Sequence, residues 1–136
     1  MYPEAIVKPM KAELIAAGFN ELVNPEDVDK AIKSEGTVLM VVNSVCGCAA
    51  GAARPGVKKS LENAKKPSHL TTVFAGFDVD AVTQARKHFA PYPPSSPAIA
   101  LFKNGELVHF VERHNIEGQN ANAISEHLKA VYDEYC

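Results

Sequence analysis

Residues 37–42, with the sequence TVLMVV, constrain the fold of this chain more than any other segment. Apolar and β-branched side chains occupy both alternating positions, so a strand formed by this segment must be covered on both of its faces. Strands of this kind lie at the centre of sheets that carry helices on both sides. We therefore predict a three-layer α/β fold with residues 37–42 as a central strand.

The elements around this strand follow a regular order. Helical patterns over residues 3–17 and 24–36 form an N-terminal helical extension over residues 1–36. The core that follows is predicted as a strand (37–42), a helix (48–64) interrupted at Arg54-Pro55-Gly56, a strand (70–75), a helix (78–89), two strands (98–102 and 106–111) and a helix from about residue 119.

This β-α-β-α-β-β-α order over residues 37–136 is that of a minimal thioredoxin-like fold with a four-stranded mixed sheet. A chain of 136 residues has the size of one domain. We predict a single thioredoxin-like domain over residues 1–136.

Composition argues against several classes of partner. The 14 basic and 16 acidic side chains are spread along the chain and leave a net charge of -2, so no basic stripe is available for nucleic acid. The apolar runs are far shorter than a membrane span, and the first residues do not resemble a signal peptide. We expect a cytoplasmic protein that binds neither nucleic acid nor membrane.

Cys46 and Cys48, separated by Gly47, are the candidate catalytic residues. Cys46 follows the central strand and opens the next helix, where free backbone N–H groups and the helix dipole stabilise a thiolate. Residues i and i+2 of a helix point about 200° apart, so a Cys46–Cys48 disulfide requires the first turn to unwind, which Gly47 permits. We predict that Cys46 is the nucleophile and that this disulfide is strained and easily reduced.

Ser96-Pro97 directly precedes the predicted strand 98–102. Proline is tolerated at the first residue of a strand because it has no N–H to donate, which alone could account for its position. In a thioredoxin-like arrangement, this position holds a cis proline against the active-site sulfur, beside a backbone group that is free to pair with substrate. We favour the cis form and predict that Gly47, Ser96 and Pro97 contact the substrate.

The cysteines are also compatible with roles outside thiol chemistry. The pair could be two small apolar residues at a helix start, or Cys46, Cys48 and Cys136 could form a metal-binding or carrier module. Zinc needs three or four ligands, and His69 is the nearest other candidate in sequence, so we predict no metal. Cys136 is expected to be an exposed tail thiol, and His114 a surface histidine able to shuttle protons near neutral pH.

The chain resembles the bacilliredoxin family over nearly its whole length, including the terminal cysteine. The motifs that carry the resemblance are VNSVCGCAAG (42–51), ARPG (53–56), TVFAG (72–76), PSSP (94–97), VHF (108–110), RH (113–114) and IEG (116–118). Separately, the sequence SPAIALFKNGE (96–106) is similar to the cis-proline strand and hairpin of thioredoxins.

The resemblance implies a thiol–disulfide oxidoreductase that removes bacillithiol from S-bacillithiolated cytosolic proteins. Cys46 would take up bacillithiol as a mixed disulfide, and Cys48 would be the resolving thiol. The implied partners are the client proteins and a low-molecular-weight thiol, with bacillithiol as co-substrate and no resident cofactor. Disulfide isomerisation is also associated with the family. Thioredoxins have a second spacer residue and a tryptophan before the first cysteine, and their absence here argues against general dithiol reductase activity.

Overall fold

The computed structural model describes residues 1–136. Its helices are α1 (Glu4–Ile15), α2 (Pro25–Ile32), α3 (Arg54–Ser60), α4 (Val79–Lys87), α5 (Arg113–Ile116) and α6 (Ala121–Tyr135). Its strands are β1 (Asn20–Glu21), β2 (Thr37–Asn43), β3 (His69–Phe74), β4 (Ala98–Lys103) and β5 (Glu106–Val111). None of the helices combines the length and the apolar content needed to cross a membrane.

The predicted mixed sheet is confirmed, but it has five strands rather than four, in the order β1-β3-β2-β4-β5. The extra strand is β1, whose two residues pair in parallel with Thr71 and Thr72 of β3 at the sheet edge. Two exposed residues are too few to show an alternating pattern, so β1 leaves no signal in the sequence. The N-terminal segment therefore contributes a strand as well as two helices.

Strand β2 lies at the centre of the sheet, and all seven of its residues are buried. Leu39 and Val41 pack with side chains of α1, α3 and α6, whereas Val38, Met40 and Val42 pack with side chains of α2 and α4. Successive residues of a strand point to opposite faces, so both faces of the sheet are covered. The predicted three-layer arrangement is confirmed.

The hairpin between β4 and β5 also follows the prediction. Asn104 and Gly105 join the strands with φ angles of 49° and 85°, the positive values that a tight two-residue hairpin turn requires. A register shift between Leu101 and Phe102 marks an irregularity in the ladder.

The helix after the cysteines is irregular one turn earlier than predicted. A π-helical turn, Ala49–Ala53, precedes α3, and the Arg54 N–H bonds to the Ala49 carbonyl, which places one extra residue in the turn. Pro55 then stands in the first turn of α3, where its missing N–H costs least. Helix α3 ends at Ser60 rather than near residue 64.

Candidate active site

The two cysteines of the motif lie where the chain leaves the central strand and enters a helix. Strand β2 ends at Asn43, and Gly47 and Cys48 are the first helical residues after it. The Cys46 carbonyl accepts hydrogen bonds from the N–H groups of Ala49 (3.0 Å) and Ala50 (3.2 Å). Cys46 therefore precedes the helix as its capping residue, and its side chain lies at the helix N-terminus.

The sulfur atoms of the motif face each other. Cys46 Sγ and Cys48 Sγ are 2.7 Å apart, and both cysteines are free and half-buried. The Cys48 backbone N–H also points at Cys46 Sγ, at 3.4 Å. The opposed directions expected for i and i+2 do not occur, because Cys46 lies outside the regular helix and its side chain can turn toward Cys48.

The environment makes the two thiols unequal. The pKa of Cys46 is lowered, mainly by the hydrogen bond from the Cys48 side chain and further by the Cys48 N–H and the charge of Arg113, against opposition from burial. The pKa of Cys48 is raised by burial and by its interaction with Cys46, although Arg113 acts in the opposite direction. Of the two thiols, Cys46 is therefore the one that loses its proton at the lower pH.

Arg113, which the sequence does not indicate as a site residue, faces the cysteines from the start of α5. Its Nη1 donates to the Ser96 carbonyl at 3.3 Å, its backbone N–H donates to Ser95 Oγ at 3.3 Å, and its side chain pairs with Glu117. Its pKa is raised by the hydrogen bond to Glu117 and by the negative charge of Cys46. The only sequence signal for this residue is the pair Arg113-His114 directly after the last strand.

The Ser96–Pro97 peptide bond is cis, and Pro97 is buried. Ala98, the next residue, pairs with Val42 near the end of β2, so this turn lies at the same end of the sheet as the cysteines. The Ser96 carbonyl accepts one hydrogen bond, from Arg113. Substrate contact by Gly47, Ser96 and Pro97 stays a prediction.

A buried arginine lies beneath the cysteine loop. Arg54 is 2% exposed, and its Nη1 donates to Asn43 Oδ1 (3.0 Å) and to the Ser44 carbonyl (2.8 Å). Asn43 Oδ1 also accepts the Ser44 N–H at 2.8 Å, and Ser44 Oγ accepts the Cys46 N–H at 2.9 Å. No role for Arg54 could be predicted from the sequence, since a cation in an Ala-rich helix gives no indication of what it contacts.

The remaining candidates lie elsewhere. Cys136 is exposed at the end of α6, and it forms no ligand group with Cys46 and Cys48, since residues 1–136 contain no cluster of three or more His, Cys, Asp or Glu able to hold a metal ion. The His114 side chain is 72% exposed, with Nε2 at 3.4 Å from Glu112 Oε1. The structure therefore gives no support to a three-cysteine carrier module.

Comparison with known proteins finds relatives that span nearly the whole chain. A model of the disulphide isomerase family matches residues 2–136. The chain is 66% identical to a bacilliredoxin of Cytophaga hutchinsonii over 134 residues, covering 98% of this chain and 99% of the relative. It is 51% identical to a bacilliredoxin of Halalkalibacterium halodurans, covering 99% of this chain and 94% of the relative.

Solved structures with a similar fold include thioredoxins. Oxidised mitochondrial thioredoxin 3 from Saccharomyces cerevisiae superposes with a TM-score of 0.59 at 15% identity, covering 85% of this chain and 94% of the thioredoxin. A putative oxidoreductase with a thioredoxin fold gives a TM-score of 0.62 at 19% identity, covering 78% of this chain and 89% of that one. The fold is a thioredoxin fold.

Proposed function

Because this chain belongs to the bacilliredoxin family of thiol–disulfide oxidoreductases, we propose that it removes bacillithiol from S-bacillithiolated cytoplasmic proteins. Bacillithiol is the thiol co-substrate in this proposal, and no resident cofactor takes part. The observation that carries the proposal is the unequal thiol pair, in which Cys46 is the more acidic member. A reducing cytosol keeps both thiols free to react.

The first step is an exchange at the disulfide of the modified client. The Cys46 thiolate attacks the sulfur of the bound bacillithiol, the disulfide between bacillithiol and client breaks, and the client cysteine leaves as a thiolate that takes up a proton from solvent. The product is a mixed disulfide between Cys46 and bacillithiol. No net oxidation occurs, because one disulfide replaces another.

The second step removes bacillithiol from Cys46. When Cys46 carries the adduct it has no negative charge, so the interaction with Cys46 no longer raises the pKa of Cys48. Cys48 then loses its proton more readily and attacks Cys46 Sγ, which releases bacillithiol and leaves a Cys46–Cys48 disulfide for a cellular thiol to reduce. Alternatively, a low-molecular-weight thiol attacks the bacillithiol sulfur directly and regenerates the Cys46 thiolate.

The test uses a purified S-bacillithiolated protein mixed with the wild type, Cys46→Ala, Cys48→Ala or Cys136→Ala. We expect full activity from the wild type and Cys136→Ala, none from Cys46→Ala, and a single turnover or slow turnover from Cys48→Ala. Removal of bacillithiol by Cys46→Ala at the wild-type rate would contradict the proposed role of Cys46.

Disulfide isomerisation is a second candidate, favoured by the description of the matching family model. An isomerase needs a thiolate that opens a wrong disulfide and holds the client, which the low pKa of Cys46 permits. Reactivation of a protein with scrambled disulfides, in the absence of bacillithiol, measures this activity. Isomerisation requires Cys46, and Cys48→Ala should keep a reduced activity, because Cys46 is a weaker acid in that variant.

A further inference from the structure

The loop that carries Cys46 is held from below by Arg54, a residue of α3 that does not reach the sulfur. A guanidinium that is 2% exposed is an expensive group to bury, and such a group is retained only with charged or polar partners. Its Nη1 bridges two acceptors of the loop, Asn43 Oδ1 at 3.0 Å and the Ser44 carbonyl at 2.8 Å. Asn43 is the last residue of the central strand and Ser44 is the first residue after it, so both acceptors lie just before Cys46.

A chain of hydrogen bonds runs from this guanidinium to the reactive sulfur. Asn43 Oδ1, fixed by Arg54, accepts the Ser44 N–H at 2.8 Å. Ser44 Oγ accepts the Cys46 N–H at 2.9 Å, which sets the direction of the backbone at Cys46. Cys46 Sγ then meets the Cys48 N–H at 3.4 Å. Each bond constrains the next group along the loop.

Helix α1 supports the same network from the N-terminal extension. Glu13 Oε2 lies 3.2 Å from Arg54 Nε, within ion-pair distance although this nitrogen makes no hydrogen bond of good geometry. Asn43 Nδ2 donates to the Met10 carbonyl at 3.2 Å. Two contacts therefore connect α1 to the loop, one through a charge and one through the backbone.

We propose that Arg54 is a positioning residue for Cys46, and that Glu13 and the Met10 carbonyl of α1 hold Arg54 and Asn43 in place. The guanidinium acts through the geometry of the loop: it keeps Cys46 where the Cys48 side chain and N–H can donate to its sulfur. The N-terminal extension is on this view part of the catalytic apparatus. The proposal concerns the reactivity of Cys46 and does not depend on which thiol is removed from clients.

The test compares Arg54→Lys, Glu13→Gln and Glu4→Gln, the last being a matched acid-to-amide change in the exposed first turn of α1. Alkylation of Cys46 by iodoacetamide is followed from pH 5 to 10 in a Cys136→Ala background. Lysine keeps the charge, but its single ammonium nitrogen cannot take the place of both Nη1, which binds the loop, and Nε, which faces Glu13. We expect Arg54→Lys to slow alkylation at pH 6 about threefold to tenfold by shifting the pH profile upward, with the limiting rate at high pH unchanged.

Glu13→Gln should shift the profile in the same direction by a smaller factor, and Glu4→Gln should leave it unchanged. Urea unfolding of each variant separates positioning from stability. An unchanged pH profile in Arg54→Lys would overturn the proposal. If stability is lost as well, the role of Arg54 is structural only; if stability is retained, its charge alone is sufficient. If Arg54→Lys does not fold, an unchanged profile in Glu13→Gln overturns it instead.

Discussion

Replacing Cys48 by alanine should make Cys46 a weaker acid. The largest cause of the lowered pKa of Cys46 is the hydrogen bond from the Cys48 side chain, with the two sulfurs 2.7 Å apart. A hydrogen bond to a charged group contributes about 1.5–3 kcal/mol, and we take about half of that for a half-exposed site where water competes. The Cys46 thiolate population at pH 6 should therefore fall about fourfold to thirteenfold.

Serine at position 48 provides the matched control, because its hydroxyl still donates a hydrogen bond although it is a shorter side chain. We expect the pKa of Cys46 to rise in the order wild type, Cys48→Ser, Cys48→Ala. The other causes are present in all three proteins: burial, which raises this pKa, and the Cys48 N–H, the charge of Arg113 and the Ala49 N–H, which lower it.

The assay is the pH dependence of Cys46 alkylation, measured in a Cys136→Ala background so that the Cys48 variants contain a single thiol. Absorbance of the thiolate near 240 nm gives an independent titration. An alanine variant with the same pKa at Cys46 as its parent would refute the reasoning. So would a serine variant that is shifted as far as the alanine variant, since the donor would then be irrelevant.

Three further predictions concern packing and charge. Gly56→Ala should lower the free energy of unfolding by about 1–3 kcal/mol, because its Cβ would lie 2.7 Å from a side-chain atom of α6. Lys11→Met should lower it by about 1–3 kcal/mol at pH 7, because buried Lys11 binds two carboxylates. Arg113→Gln should raise the pKa of Cys46 by removing a nearby positive charge, and the difference from wild type should shrink in high salt.

The Gly56 and Lys11 predictions each have a further check. Urea unfolding of Gly51→Ala, whose added Cβ meets no atom within 4 Å, should show unchanged or slightly higher stability; equal losses at Gly51 and Gly56 would contradict the packing argument.

Burial lowers the pKa of Lys11, but its two carboxylate partners outweigh burial and the net pKa is raised above 10.5. The stabilisation by Lys11 is therefore complete below pH 10.5 and lost as the pH rises through the higher folded-state pKa. The difference in the free energy of unfolding between wild type and Lys11→Met should therefore shrink in that pH range, and a difference that grows would contradict the prediction.

Local sequence patterns predicted most of the fold because the responsible interactions are local. The two-sided burial of residues 37–42 and the strand pair over residues 98–102 and 106–111 each depend on a few neighbouring residues. The edge strand β1 and the π-helical turn were missed, because β1 exists only through its pairing with β3 and the π turn only through one displaced hydrogen bond.

The site was predicted in part for the same reason. The location of Cys46 at a helix start could be read from the strand before it and the small residues after it. The places of Arg113 and Arg54 in the site could not be predicted from the sequence, because the tertiary fold brings each of them to its partners. Arg113 contacts the Ser96 carbonyl. Arg54, in α3, contacts Asn43 of β2 and Glu13 of α1. Charged side chains that reach a site from distant segments of the chain leave no spacing pattern in a single sequence.

The most direct measurement is the intact mass of Cys48→Ala after it has been mixed with an S-bacillithiolated protein and free thiols have been trapped. We predict one bacillithiol adduct per chain, mapped to Cys46 by peptide fragmentation, and none on the Cys46→Ala protein treated in the same way. An unmodified Cys46, or an equal adduct on Cys136 in both variants, would contradict the account.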